Sequence, residues 1–345
     1  MIYRDITFID KNYNLILGDV DVENGFVTSI VPKGEGIGKP LVPPFVDIHI
    51  HGGYGVDIMN SSSSEIIYLS KKLYENNVGA YMPTTVAKSY SKILASAKEI
   101  KYASKNNNYA EILGIHIEGP FISKEYKGIM EESYITPCNI KLYEDLKNIM
   151  GDLKIRFTIA PECEGAYEFC KYVTDNGDFI SIGHSGASVS ECKELINNGA
   201  SSYTHLFNAM SPVNHRNMGV AGAGIIDNNF VEVICDFVHI DKECIELITK
   251  LKEDKIILIT DAMEAMGCEI GAYVFCGTNV VVNENSVRDN TGRLAGSILT
   301  MNKAVENMTK IVGLESAIKM ASENPSKLLG LSKYGYIDVG RRIII

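Results

Sequence analysis

The sequence has no block of lysine and arginine, and its formal net charge is −10. A phosphate-backbone footprint needs clustered positive charge, so nucleic acid is a poor partner. An anionic small molecule stays open, because local charge decides that and net charge does not. No apolar run is long enough to span a bilayer, so no membrane partner is expected. The opening MIYRDITFIDKNY lacks a basic stretch followed by an apolar one, so no signal peptide is expected. The eight cysteines form no C-x-x-C pair, and several lie in apolar runs, such as Cys235 in VEVICDFV. They read as reduced core thiols of a cytoplasmic protein, with a disulfide framework as the lesser alternative. Low-complexity and repeat signatures are missing as well. With 46% hydrophobic residues in 345, the chain has enough apolar material for a sizeable core.

What the sequence does contain is ordered. Residues 1 to about 42 read as short strands joined by turns. LILGDVDV, Glu23-Asn24-Gly25 and FVTSIV form a hairpin signal, since Asn-Gly accepts the positive φ of a tight turn. From residue 43, apolar β-type segments alternate with segments of helical periodicity. The strand candidates are 45–51, 78–85, 112–118, 155–161, 179–184, 201–207, 231–237 and 255–261. Eight β-α units with continuous apolar strands imply a closed, parallel (β/α)8 barrel. An open doubly wound sheet is the alternative, weakened because G-x-G-x-x-G does not follow the first of these strands. The final YGYIDVGRRIII is strand-like. The expected organisation is a small β-sandwich domain from 1–42 and 333–345 around a catalytic barrel of 43–332.

Seven histidines are present, and five of them fall in or at the ends of these strands. His49 and His51 end the first, His116 and Glu118 the third, and His184 the fifth. His205 lies in the sixth, and Asp261 ends the eighth. In a parallel barrel the C-terminal strand ends form the reactive face. Residues two apart on a strand point the same way, so His49 and His51 can reach one ion together. Any one of these residues has a structural reading: a hydrogen-bonded core histidine, or an N-capping aspartate in TDAMEAM. Their joint placement points instead to a borderline divalent ion such as zinc or iron.

HIHGG at 49–53, GIHIEGPFIS at 114–123, TIAPE at 158–162, GHSGAS at 183–188, THLFNAMSP at 204–212, HRNMG at 215–219, TDA at 260–262 and LAGSILTM at 294–301 occur in this order. Together they resemble the amidohydrolase superfamily, and within it the N-acetylglucosamine-6-phosphate deacetylases. The resemblance runs from about residue 40 to 330. It implies a metal-dependent barrel with a small β-sandwich domain, usually a homodimer, that releases acetate from a phosphorylated N-acetyl amino sugar.

By that resemblance Glu118, His184 and His205 match the principal metal ligands. His49 and His51 match an additional site, giving one or two ions, with zinc or iron expected. Asp261 matches the catalytic aspartate, a base toward water and then an acid toward the leaving amine. Asn208 and the backbone N–H of Ala209 match a phosphate cradle, and Arg216 matches its arginine. His239 matches a histidine presented to the neighbouring subunit's substrate. His116 is expected to support the metal layer, and His215 to be a loop residue.

Two departures stand out. Where the family places K-G-x-H, this sequence has Lys127 to Met130, and Met130 cannot donate a strong hydrogen bond. The sequence also ends at GRRIII, where the resemblance implies further strands, so part of the small domain is expected to be truncated. The alternatives carried forward are the galactosamine epimer as substrate, another amidohydrolase such as a D-aminoacylase or dihydroorotase type, and a weakly active or non-catalytic sugar-phosphate-binding relative.

Overall fold

The computed structural model describes residues 1–344, with the backbone alone at 253. Three antiparallel strands open the chain: β1 (Ile2–Ile9), β2 (Leu15–Glu23) and β3 (Phe26–Glu35). The β2–β3 turn is Asn24-Gly25, with φ of 52° and 78°, the pair of positive angles that a two-residue hairpin of this twist requires. Phe8, Val20 and Val27 of this sheet are buried together with Ile337 and Ile343. The Ile343 N–H donates to Gly25 O at 2.9 Å and the Val27 N–H to Arg341 O at 2.9 Å. The last described residues, expected to be strand-like, form no strand and only bridge to the edge of the first sheet at Phe26 and Arg342, and that sheet is a single layer of three strands.

The body is a parallel barrel. Its strands are β4 (Phe45–Ile50), β5 (Val78–Thr85), β6 (Gly114–Glu118), β7 (Lys154–Ile159), β8 (Phe179–Ile182), β9 (Ser202–Tyr203), β10 (Phe230–Ile234) and β11 (Ile256–Ile259). Each pairs in parallel with the next, from β4 to β11. Closure between β11 and β4 comes just past the ladder. The Asp261 N–H donates to His49 O at 2.9 Å, the His51 N–H to Ala262 O at 2.8 Å, and the Thr260 hydroxyl to Asp47 Oδ2 at 2.6 Å. The α/β barrel expected from the apolar runs is the fold observed.

Helices cover the outside for the usual reason: most present an apolar stripe to the strands, and several begin at a polar cap. Helix α1 (Ser63–Glu75) buries Ile66, Leu69 and Leu73 and opens with a Ser62/Glu65 capping box. Helix α2 (Tyr90–Asn106) starts at Ser89, whose hydroxyl accepts from the Lys92 N–H.

Two features differ from the sequence reading. The sixth strand is two residues long, where 201–207 was expected. Its chain leaves the ladder because the His205 backbone turns to φ 30° and the Leu206 N–H donates to Glu232 O instead. An antiparallel sheet also lies between β11 and the last barrel helix, where none was expected: β12 (Gly271–Phe275), β13 (Thr278–Val282) and β14 (Val287–Asp289). Its signal was present as period-two alternation either side of Cys276-Gly277, whose φ values are 55° and 85°. Phe275, Val280, Val282 and Val287 of this sheet pack on Met59, Val86, Ala87, Ile122 and Met130, roofing one side of the barrel mouth.

Candidate metal and active site

At the C-terminal end of the strands, a cavity of about 550 Å³ is lined by His51, Glu118, His184, His205, Asn208, Ala209, His239 and Asp261, among others. A larger hollow of about 800 Å³ opens beside Lys88, Tyr90 and Thr136. It contains neither of the two clusters of metal-capable side chains found among the described residues, both of which meet at Glu118.

Those clusters are His49, His51 and Glu118, and Glu118, His184 and His205. His49 Nε2 and His51 Nε2 are 3.3 Å apart, and each faces a Glu118 oxygen, at 3.3 and 3.1 Å. Glu118 Oε1 also faces His184 Nε2 at 3.3 Å and His205 Nε2 at 3.0 Å, and those two nitrogens are 3.1 Å apart. Asp261 Oδ1 stands 3.1 Å from His51 Nε2 and 3.3 Å from His49 Nε2. Three of these residues hold left-handed backbones rare for side chains of this kind: His184 at φ 49°, His205 at 30° and Asp261 at 50°. Such strain persists where the surrounding structure over-determines it, and it bends each chain end so that the side chain points into the mouth.

Electrostatics follow from this crowding. Burial pulls the His49 and His51 imidazoles down, but the Glu118 and Asp261 carboxylates overcome it, pushing His51 up to about 9 and His49 well above its ordinary value. Burial pushes Glu118 and Asp261 up, and the imidazoles overcome it in turn, holding both below the usual carboxylate range. His116 takes no part in either cluster. Its Nε2 meets Thr158 Oγ1 at 2.7 Å and its Nδ1 meets Thr84 Oγ1 at 3.3 Å. Burial first, then Arg156, holds its imidazole well below the ordinary range.

The donor set fits a divalent cation. His184 Nδ1 lies 2.8 Å from Tyr126 O and His49 Nδ1 lies 3.1 Å from Glu232 Oε2. Facing acceptors, both nitrogens carry the proton, so in the neutral rings the Nε2 lone pairs aim at the Glu118 oxygens. Lone pairs meeting at about 3 Å repel unless a cation or a proton lies between them. Nitrogen and carboxylate oxygen from six buried residues suit zinc or another borderline ion.

The remaining candidates divide. His239 lines this chain's own cavity, its Nδ1 2.6 Å from Asp236 Oδ2, although the resemblance implied a reach toward a neighbour. Asn208 and Ala209 also line the cavity. Arg216 does not: it is exposed on the loop bridged by Asn214 and Asn217, outside the cavity of its own chain, as is His215. Met130 lines the cavity but is 4% exposed, and the Ala87 N–H points at its sulfur from 3.5 Å. Sequence reasoning missed Asp47, Arg156 and Glu232, all fully buried beneath the cluster. A charged residue inside an apolar strand, in step with the inward-facing parity, was the available signal.

A family model described as the amidohydrolase family matches residues 41–343. The N-acetylglucosamine-6-phosphate deacetylase of Bacillus subtilis (strain 168) is 34% identical over 324 residues, covering 89% of this chain and 82% of that protein. The solved structure of N-acetylglucosamine-6-phosphate deacetylase from Thermotoga maritima superposes with a TM-score of 0.92 at 32% identity, over 99% of this chain and 93% of the other. A variant of the Mycobacterium smegmatis enzyme, solved in complex with N-acetyl-D-glucosamine-6-phosphate, gives 0.91 at 25% identity, covering 99% and 93%.

Proposed function

From the premise that this chain belongs to the amidohydrolase family, we propose that it hydrolyses the amide of N-acetylglucosamine 6-phosphate to acetate and glucosamine 6-phosphate. The observation that carries this reading is Glu118 set between two pairs of imidazoles, with Asp261 Oδ1 3.1 Å from His51 Nε2. Glu118, His184 and His205 would hold one divalent ion, zinc or iron, and His49, His51 and Glu118 a second. A bound cation of this kind supplies hydroxide at neutral pH by lowering the pKa of water to ~7.

The chain's own residues do the rest. Asp261, ionised, accepts the proton of the attacking water and returns it to the nitrogen, since an amine departs only when protonated. Asn208, the Ala209 N–H and His239 bind the sugar phosphate from the cavity wall. Arg216 contributes only if a second copy presents its loop there, which a homodimer would do. Met130 offers no oxyanion donor, and a cation held by His49, His51 and Glu118 would supply Lewis-acid polarisation of the carbonyl in its place. The eight free cysteines support a cytoplasmic setting for this enzyme.

The test is acetate release from N-acetylglucosamine 6-phosphate, N-acetylgalactosamine 6-phosphate and unphosphorylated N-acetylglucosamine, with metal content quantified. The glucosamine phosphate is expected to be fastest. Equal rates without the phosphate would remove the roles of Asn208, Ala209, Arg216 and His239. No acetate from any of the three, with metal bound, would remove the reading itself.

A further inference from the structure

Beneath the cluster, three fully buried side chains cross the barrel in one line: Arg156 on β7, Glu232 on β10 and His49 on β4. Arg156 Nη2 is 2.5 Å from Glu232 Oε1 and also reaches Ser202 Oγ at 3.2 Å. Glu232 Oε2 is 3.1 Å from His49 Nδ1 and accepts the His205 backbone N–H at 3.2 Å. Among the described residues, Arg156 Nε and Nη1 and Glu232 Oε1 have no hydrogen-bond partner, so the pair is held by charge and proximity. A buried ion pair is weak evidence for stability, because desolvating both charges cancels much of their attraction. An apolar filling of the same volume would serve packing at least as well. The arrangement therefore invites a reading in terms of what it does to His49.

We propose that Glu232, clamped by Arg156, is a positioning residue that fixes the His49 ring and its tautomer so that one of the two cation sites is complete. This rests on the metal-site reading above. Four rings enter the two clusters, and only two have their Nδ1 held. Tyr126 O holds His184 in one cluster, and Glu232 holds His49 in the other. The Nδ1 atoms of His51 and His205 are buried without a partner among the described residues. Each cluster thus contains one ring oriented from outside; Glu232 holds a ring nitrogen only in the His49–His51 cluster, and its contact with the other is to the His205 backbone N–H. A carboxylate accepting Nδ1–H also makes the opposite nitrogen a stronger donor, and loss of such partners commonly costs 10–100-fold in metal affinity.

Two variants test this. Arg156→Leu with Glu232→Met replaces the pair by apolar groups of similar volume, and Glu232→Gln removes the charge while keeping the shape. Zinc ion is titrated into metal-free protein against a chromophoric chelator. Wild type is expected to take two equivalents. The double variant is expected to take one at wild-type affinity and the second about 10–100-fold more weakly. Glu232→Gln is expected to shift the same equivalent in the same direction, and carries the test if the double variant does not fold. Wild-type affinity for both ions in the variants, equal weakening of both, or a wild type that takes a single ion would each overturn the proposal. Parallel acetate-release assays separate the two readings. A one-ion protein that still deacetylates leaves the proposed function standing and removes Glu232's role. A two-ion protein that behaves as expected but deacetylates nothing does the reverse.

Discussion

Metal-free protein should lose stability as pH rises from 7 to 8.5. His51 is the group to follow. Its folded pKa is pushed up to about 9 by Glu118 and Asp261 against the pull of burial, while an unfolded histidine titrates near 6.5. The folded state therefore binds this proton more tightly. The resulting stability is complete below about 6.5 and is lost as pH climbs through about 9. Other groups bound the window. Burial pushes Asp47 up to about 7, so most of its own loss precedes this window and the small remainder has the same sign. Thiols of the unfolded chain, with pKa near 8.5, are half ionised at the upper end of this window, and because burial pushes several folded thiols up they add a loss of the same sign. Glu118 and Asp261 are lowered, so their contribution is lost only as pH falls below about 4.5 and is constant in this window. At about 1.4 kcal/mol per pH unit, His51 alone loses about 2 kcal/mol, and His49, raised by the same carboxylates, adds to it. Urea unfolding of chelator-treated protein, followed by circular dichroism at constant ionic strength, measures this. With saturating zinc the slope should reverse, because the ion requires deprotonated imidazoles. A metal-free stability that is flat or rises between pH 7 and 8.5 would show that these imidazoles do not face ionised carboxylates.

Three further outcomes are expected. Asp261→Asn should lower kcat by about 10²–10⁴ while leaving metal at Glu118, His184 and His205, as read by acetate release and metal analysis on one preparation. Met130→Ala should destabilise the fold by about 2–5 kcal/mol, because the side chain fills the cluster beneath the β12–β14 sheet; thermal unfolding reads the loss. Gly114→Ala should cost about 3 kcal/mol or more in urea unfolding, since its Cβ would stand 1.9 Å from Lys154 O on the paired strand.

Much of this was legible in the one-dimensional pattern. Period two along FVDIHIH made His49 and His51 neighbours on one side of a strand, and Asn24-Gly25 announced the first hairpin. The eight apolar runs implied a parallel sheet, because strands covered on both faces lose polar alternation. The β12–β14 hairpins were less visible, since their alternation sits among glycines and charged residues that read as loop. Arg156 and Glu232 are charges in apolar strands and were passed over, and their strands lie about seventy positions apart in the sequence. Nothing local says that they touch.

By itself, then, the sequence determined the layers and the donor inventory, because side-chain parity and burial are properties of a single strand or helix. Only tertiary structure decided how the donors meet. The positive φ values at His184, His205 and Asp261, the placing of Glu118 in both clusters, and the line from Arg156 to His49 arise from barrel closure. The same closure left Arg216 outside its own chain's cavity and His239 inside. Closure brings together residues far apart in sequence, and their distances depend on how eight strands tilt and stagger as one object.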